Sequence, residues 1–508
     1  MQTMLKSVLS VSSCILGLIV TVVVIRTLTF SVRTDDVTPC AESDEDFVQA
    51  TDTVIERFRQ ALRMRTIATS AHVYDTEELH KLQLFIKSAY PKIHSSPFVS
   101  YEDVANYSML YTVRGENSSL TPYMITGHLD VVPADASLWD HPPFGAEIHD
   151  GFIYARGTID DKHIVMGVLE ALEHLLAKGF RPQRSFYLGF GHDEEVTGLD
   201  GAKSISNLLW SRGIRKLEFL VDEGLTIVNN VIPGIEKPVA LIGTAEKGYL
   251  TLKLNVKWDT GHSSMPTKET SIGIMANAVS KLTTDCHPSM FGQGPELDTF
   301  QHLASHMKWP YRVVMSNLWL FRPIVSWVLS RKPSTNAIAR TVTSVTMING
   351  GVKVNVLPPE VTAYVNHRLH PAQSIQEVIE FDRQLIGDDR VKISVESSME
   401  PLPMSPYGDF DFGYQTVKSS IRQVWTEAAV APGVLIGNTD TIHYTPLTHN
   451  IYRFSPTFMF PDDIPRFHGN NERLSIRNYE QAINFYKHLI QNADAVSLPS
   501  YHKHADEL

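Results

Sequence analysis

Cysteine is scarce: Cys14, Cys40 and Cys286 are the only three in 508 residues, too few for a disulfide scaffold. Cys14 sits in an apolar run, which leaves Cys40 and Cys286 to pair with each other or to stay reduced. A basic tract is missing too. With 45 Lys and Arg against 56 Asp and Glu, the net charge is -11, which argues against nucleic acid or any other polyanion as partner. No repeat or low-complexity tract interrupts the chain. Long uncharged runs are absent with one exception, Val8 to Ile25 between Lys6 and Arg26.

That run reads as a signal peptide or signal anchor over residues 1–30, and either sends the chain into the secretory pathway. No clean small-residue cleavage site follows it, so both readings stay open. Asn106-Tyr-Ser108 and Asn117-Ser-Ser119 are glycosylation sequons, which agree with a lumenal route. Secretion is the expected destination. The terminal His-Ala-Asp-Glu-Leu508 approximates a retention signal but has Ala505 where Lys or His usually stands. Retention in the endoplasmic reticulum and an N-terminal membrane anchor are the alternatives.

What is present is an ordinary globular composition at a length that calls for more than one core. Strand-like runs alternate with helical ones from Thr158 to Glu246, with a helix from Ile164 to Lys178 stopped by Gly179; this predicts a three-layer α/β domain. After Gly248 the order changes to strand 251–258, helix 271–282, strands 337–348 and 361–369, helix 375–386 and strand 391–395. That βαββαβ order is ferredoxin-like. The expected division is a catalytic domain over 45–247 and 399–495, an inserted α+β domain over 248–398, and a tail over 496–508. Within the insertion, the aromatic-rich Asn317–Leu329 is read either as a helix packed in a core or dimer interface, or as the border of an acyl-chain groove or a lipid contact.

Four apolar runs end in acidic or histidine residues: Tyr123 to His128 and Asp130, Phe152 to Asp160 and Asp161, Phe186 to Glu194 and Glu195, and Leu217 to Asp222 and Glu223. Ligands of open α/β sheets gather beyond strand carboxyl ends, so these groups are expected to converge. His128, Asp160, Glu195 and Asp222 supply the nitrogen and oxygen donors that zinc accepts, and a two-metal site needs one bridging carboxylate. Asp130 suits the role of orienting the His128 ring. Glu194, left over beside the metals, is the candidate general base.

The motifs Gly127-His-Leu-Asp130, Ala155-Arg-Gly-Thr-Ile-Asp-Asp-Lys162, Asp193-Glu-Glu195, Asp222-Glu-Gly224, Gly261-His-Ser-Ser264 and Phe467-His-Gly469 together resemble the di-zinc amidohydrolases of the aminoacylase, carboxypeptidase S and glutamate carboxypeptidase family. The resemblance runs from about residue 45 to 495. It implies a zinc-peptidase catalytic domain with an inserted lid or dimerisation domain, and two zinc ions per subunit. One ion falls to His128, Asp160 and Asp222, the other to Asp160, Glu195 and His468, with Asp160 bridging and a cis peptide after it. His262 is implied as the group that polarises the scissile carbonyl, and Asn355 and Arg368 as substrate-binding residues. Ile442 departs from the pattern, since many relatives carry Arg there. The activity implied is hydrolysis, and reversibly synthesis, of N-fatty-acyl amino acids. The implied partners are that small substrate, a lipid or lipoprotein surface, and a second copy in a homodimer. A carboxypeptidase S-like peptidase or dipeptidase is the alternative enzyme, and a silent acyl-amino-acid carrier the alternative outside enzymes.

Overall fold

The computed structural model describes residues 2–31, 37–43, 47–284 and 287–495. Cys286 and the His-Ala-Asp-Glu-Leu508 terminus lie outside these residues.

Burial on both faces makes a strand read as an unbroken apolar run, and Tyr123–His128 and Phe186–Gly191 are buried at every position. They lie side by side and parallel near the middle of an eight-stranded mixed sheet. From one edge the order is Ala429–Leu435, Val239–Glu246, Ile451–Met459, Leu220–Val228, Tyr123–His128, Phe186–Gly191, Ser108–Val113 and Val99–Val104. Alternate side chains serve opposite faces. Ile125 joins the core under helices Asp52–Arg63, Lys162–Ala177, Phe412–Val424 and Ile476–Ala493. Met124 joins the core under Ala202–Ser211 on the other face. The result is the three-layer α/β arrangement. Gly179 follows Lys162–Ala177 with φ of 82°, the left-handed turn that ends a helix.

A second sheet has the order Val342–Gly350, Glu360–Leu369, Gly248–Lys257, Lys392–Met399, antiparallel throughout. Helices Ser271–Thr284 and Ile375–Ile386 cover one face of it. Ser374 and Glu377 cap the latter helix reciprocally. This is the ferredoxin-like order expected. Only Lys247 separates Val239–Glu246 of the large sheet from Gly248–Lys257 of the small one, and its buried ammonium bonds the carbonyls of Ala337 and Arg340.

Three local expectations need correction. The strand expected from Ala337 begins at Val342, because Pro333 opens a short helix to Ala339. Asp160 does not follow a strand of the large sheet; Phe152–Tyr154 pairs instead with Glu147–His149 and Arg473–Ser475. The strand expected to stop at Asp222 runs on to Val228, with a register break between Arg453 and Phe454 of the neighbouring strand that leaves Glu223 and Gly224 as a bulge.

The stretch between the two halves of the small sheet forms helices Glu296–Ala304, Tyr311–Met315 and Leu318–Leu329. Leu303 and Met307 pack on Val239, Ala429 and Ala431, so the insertion shields the edge of the large sheet. Leu318–Leu329 buries one face against Phe291 and Ala339. Its other face is open: Trp319 and Trp327 are 53% and 58% exposed.

Candidate active site

The carboxyl end of Tyr123–His128 delivers the His128 imidazole into a fully buried position. Its Nδ1 donates to the Asp130 carbonyl oxygen at 3.0 Å and lies 3.4 Å from Asp130 Oδ1, which turns Nε2 inward. There Nε2 meets Asp160 Oδ1 at 2.9 Å. The other oxygen of Asp160 faces His468 Nε2 at 2.6 Å, and His468 Nε2 lies 3.3 Å from Glu195 Oε2. The one carboxylate therefore stands between two imidazoles that are 340 positions apart in sequence.

Asp130 does more than hold the ring. Its two oxygens accept the backbone N–H groups of Glu194 at 3.2 Å and Glu195 at 3.1 Å, fixing the short helical turn that carries both. Glu194 Oε2 is 4.0 Å from His128 Nε2. Asp161 accepts the His128 backbone N–H, and the Asp160–Asp161 peptide is cis.

The carboxylate that approaches His128 from the strand Leu220–Val228 is Glu223, with Oε1 at 3.6 Å from Nε2. Asp222 is the residue expected there. Neighbours on a strand point to opposite faces, and the bulge at Glu223–Gly224 turns Glu223 toward the imidazole. Asp222 is buried too, acted on by the charges of His128, Arg453 and Glu246, and its Oδ2 has no hydrogen-bond partner among the described residues.

Charge in this cluster is badly matched to its burial. Burial pushes the Glu194 and Glu223 carboxyls well above their ordinary range and also raises Glu195. Burial opposes a charge on His128, yet Asp161 and Glu223 outweigh it and hold its pKa well up. Hydrogen bonds to Asp160 and Glu195 raise His468 to about 10. Glu195 Oε1 is buried without a partner among the described residues. Donor atoms of His128, Asp160 and Glu195 lie within 4.8 Å of one another, as do those of His128, Asp161 and Glu223. Such a set of carboxylate oxygens and imidazole nitrogens, crowded and buried, fits divalent cations.

Sequence reasoning passed over Glu472, four residues after His468. Its buried carboxylate accepts the N–H groups of Gly157, Ile159 and Asp160 at 3.1, 2.6 and 3.2 Å and pairs with Arg156 at 2.6 Å. It thereby shapes the loop that presents Asp160. The sign was present in His468-Gly-Asn-Asn-Glu472, where an acid follows the histidine within one short turn.

The remaining candidates sit on the second sheet. Gly261–His262 pairs with Val356–Leu357, and Ser263 N–H donates to the Asn355 carbonyl, so His262 and Asn355 share one ribbon. Neither hydrogen-bonds to the His128 cluster among the described residues. Arg368 reaches back toward the large sheet and donates to Asn438 Oδ1. Asn438 in turn donates to Glu246 Oε1 at 3.0 Å, and Glu246 is fully buried against Arg453 at 2.7 Å. Asn438 is thus a second residue missed. Asn106 is exposed in the turn after Val99–Val104; Asn117 is half-buried, its side chain accepting from Ser119.

The family model for peptidase family M20/M25/M40 matches residues 124–492. N-fatty-acyl-amino acid synthase/hydrolase PM20D1.1 of Danio rerio is 46% identical over 98% of this chain and 96% of its own length. Carboxypeptidase S-like 2 of Dictyostelium discoideum is 44% identical over 83% of this chain and 80% of its own. Among solved structures, an M20 family metallo-carboxypeptidase of Sulfolobus solfataricus superposes with a TM-score of 0.64 at 17% identity, covering 87% of this chain and all of that one. On this agreement of sequence and fold, the chain is a metallo-amidohydrolase and belongs to peptidase family M20/M25/M40.

Proposed function

We propose that the enzyme hydrolyses, and in reverse forms, the amide bond between a fatty acyl group and an amino acid, at a site holding two zinc ions. The supporting observation is the Asp160 carboxylate, with one oxygen toward His128 and the other toward His468. One ion is assigned to His128, Asp160 and Glu223, in place of Asp222, and the other to Asp160, Glu195 and His468. When bound, the pair supplies Lewis-acid polarisation of the amide carbonyl and a water of lowered pKa.

The chain's own groups do the rest. Glu194 takes the proton of the attacking water and returns it to the amine nitrogen as the C–N bond breaks. His262, on the inserted domain over 248–398, closes as a lid and donates to the oxygen that gains charge. Asn355 and Arg368 hold the backbone end of the amino acid, Arg368 gripping its carboxylate in the place now taken by Asn438. Hydrolysis and synthesis share one transition state, so the concentrations of acid, amine and amide set the net direction.

A lipid surface is the assigned source of the acyl chain. The helix Leu9–Thr29, 21 residues at mean hydropathy 2.2, is long and apolar enough to cross a membrane. Its end is docked on the insertion: the buried Asn317 amide donates to Thr27 Oγ1 at 3.0 Å, and Arg312 to the Thr27 carbonyl at 3.1 Å. Beside that joint stand the open aromatic rings of Trp309, Trp319 and Trp327, the residue type that favours a membrane interface. This favours a retained anchor over a cleaved signal.

The test is Glu194→Gln assayed on an N-fatty-acyl amino acid and on a dipeptide, with zinc counted in both proteins. The variant is expected to keep its zinc and lose turnover; undiminished turnover would remove Glu194 from its role. Dipeptide cleavage far faster than acyl-amino-acid cleavage would favour the carboxypeptidase reading.

A further inference from the structure

A second cluster lies wholly inside the ferredoxin-like sheet and its covering helices. His287 precedes the insertion helices, His367 belongs to the strand Glu360–Leu369, and Asp382 to the helix Ile375–Ile386. None is more than 2% exposed. His287 Nε2 is 3.2 Å from Asp382 Oδ1, and His367 Nε2 is 2.9 Å from Asp382 Oδ2. One donor atom from each of the three lies within 4.8 Å of the others.

These contacts are close without being hydrogen bonds. The His287 and His367 Nε2 atoms and both Asp382 oxygens lack an aligned partner among the described residues. The two rings stand at 85° to each other with centroids 5.6 Å apart. Two ring nitrogens thus stand beside one carboxylate with their hydrogen-bonding capacity unused. His367 Nδ1 meets Thr343 Oγ1 at 3.0 Å; when it donates there, Nε2 carries a bare lone pair beside an anionic oxygen. Buried polar atoms left without hydrogen-bond partners are unfavourable unless another group satisfies them. A shared cation removes the conflict.

We propose that His287, His367 and Asp382 form a structural site for a borderline divalent cation such as zinc, with water as the fourth donor. Zinc to nitrogen and oxygen distances of about 2.0–2.2 Å put tetrahedral ligand atoms roughly 3.3 Å apart, close to the spacing found. The site ties strand, helix and the first residues of the insertion to one point. The base of the segment that carries Leu318–Leu329 is thereby pinned to the sheet. It shares no residue with the His128 cluster.

The test counts zinc per full-length chain in the wild type, in Asp382→Asn, and in the triple variant His287→Leu, His367→Leu, Asp382→Leu, whose apolar side chains fill the space without a buried charge. Each variant is expected to carry one zinc fewer than the wild type. The comparison is between chains with identical ligands around His128, so it stands whatever the occupancy there. Crystals of the wild type are expected to give an anomalous peak at the zinc edge between the three side chains. Equal zinc counts in wild type and variants, or no such peak, would overturn the site in favour of a buried His–Asp–His ion pair.

Discussion

Asp130 holds Glu194 by its backbone: one carboxylate oxygen accepts the Glu194 N–H at 3.2 Å while the other accepts that of Glu195. The residue that orients the His128 ring thus also fixes the main chain under the proposed base and one proposed ligand. Asp130→Asn swaps one acceptor for a donor facing an N–H. Turnover is expected to fall about 10–100-fold, the usual effect of losing an outer-shell partner. Wild-type kinetics in the variant would show that the Glu194–Glu195 turn holds itself.

Glu472 and Arg156 are a buried pair, 0% and 2% exposed in their side chains. Glu472→Gln leaves the guanidinium uncompensated, an effect on the order of 3–5 kcal/mol, and loosens the loop under Asp160. Denaturant unfolding should report that loss, and the same preparation should bind zinc more weakly. Unchanged stability and zinc content would dismiss Glu472 as an organiser.

Arg368→Lys keeps the charge and loses the planar fork. KM for an acyl amino acid is expected to rise tenfold or more with little change in kcat, and an acyl amide lacking the carboxylate should not discriminate between the two enzymes. Equal rises for both substrates would place Arg368 away from the carboxylate.

Lys247 is held by burial at a pKa of about 7, against an ordinary 10.5. Between those values the unfolded chain binds the extra proton, so this residue makes stability rise with pH across that window. Lys247→Met should flatten the slope of unfolding free energy from pH 7 to 10. An identical slope in the variant would show the ammonium to be charged as it stands.

Trp319 and Trp327 are expected to bind the membrane interface. Replacing both by Glu should weaken binding to lipid vesicles at least tenfold, about 1.4 kcal/mol, and leave cleavage of a short-chain substrate in place. Unaltered vesicle binding would return that face to a protein partner.

Much of this was legible in the chain because burial and period leave a mark. Tyr123–His128 and Phe186–Gly191 read as strands since both faces are covered, and the helix expected over 375–386 is found as Ile375–Ile386. The approach of Glu223 to His128 was not legible, because a bulge sets how two adjacent buried acids are aimed and alternation alone is blind to it. Pro333–Ala339 was lost for being short, with its helical pattern spread over seven residues. His287, His367 and Asp382 carry no local motif; only the pairing of distant elements brings them together.

The single residue between Glu246 and Gly248 also has a mechanical side. A Cβ on Gly248 would fall 2.6 Å from the Met399 carbonyl oxygen and 2.7 Å from Pro401, so the outgoing and returning chains cross at the same place. Two adjacent crossings make a pivot. A swing of the small sheet about that line would act next to Glu246 and the Asn438 that donates to it. Closing over an amino acid and re-aiming the groups that hold it would then be one movement.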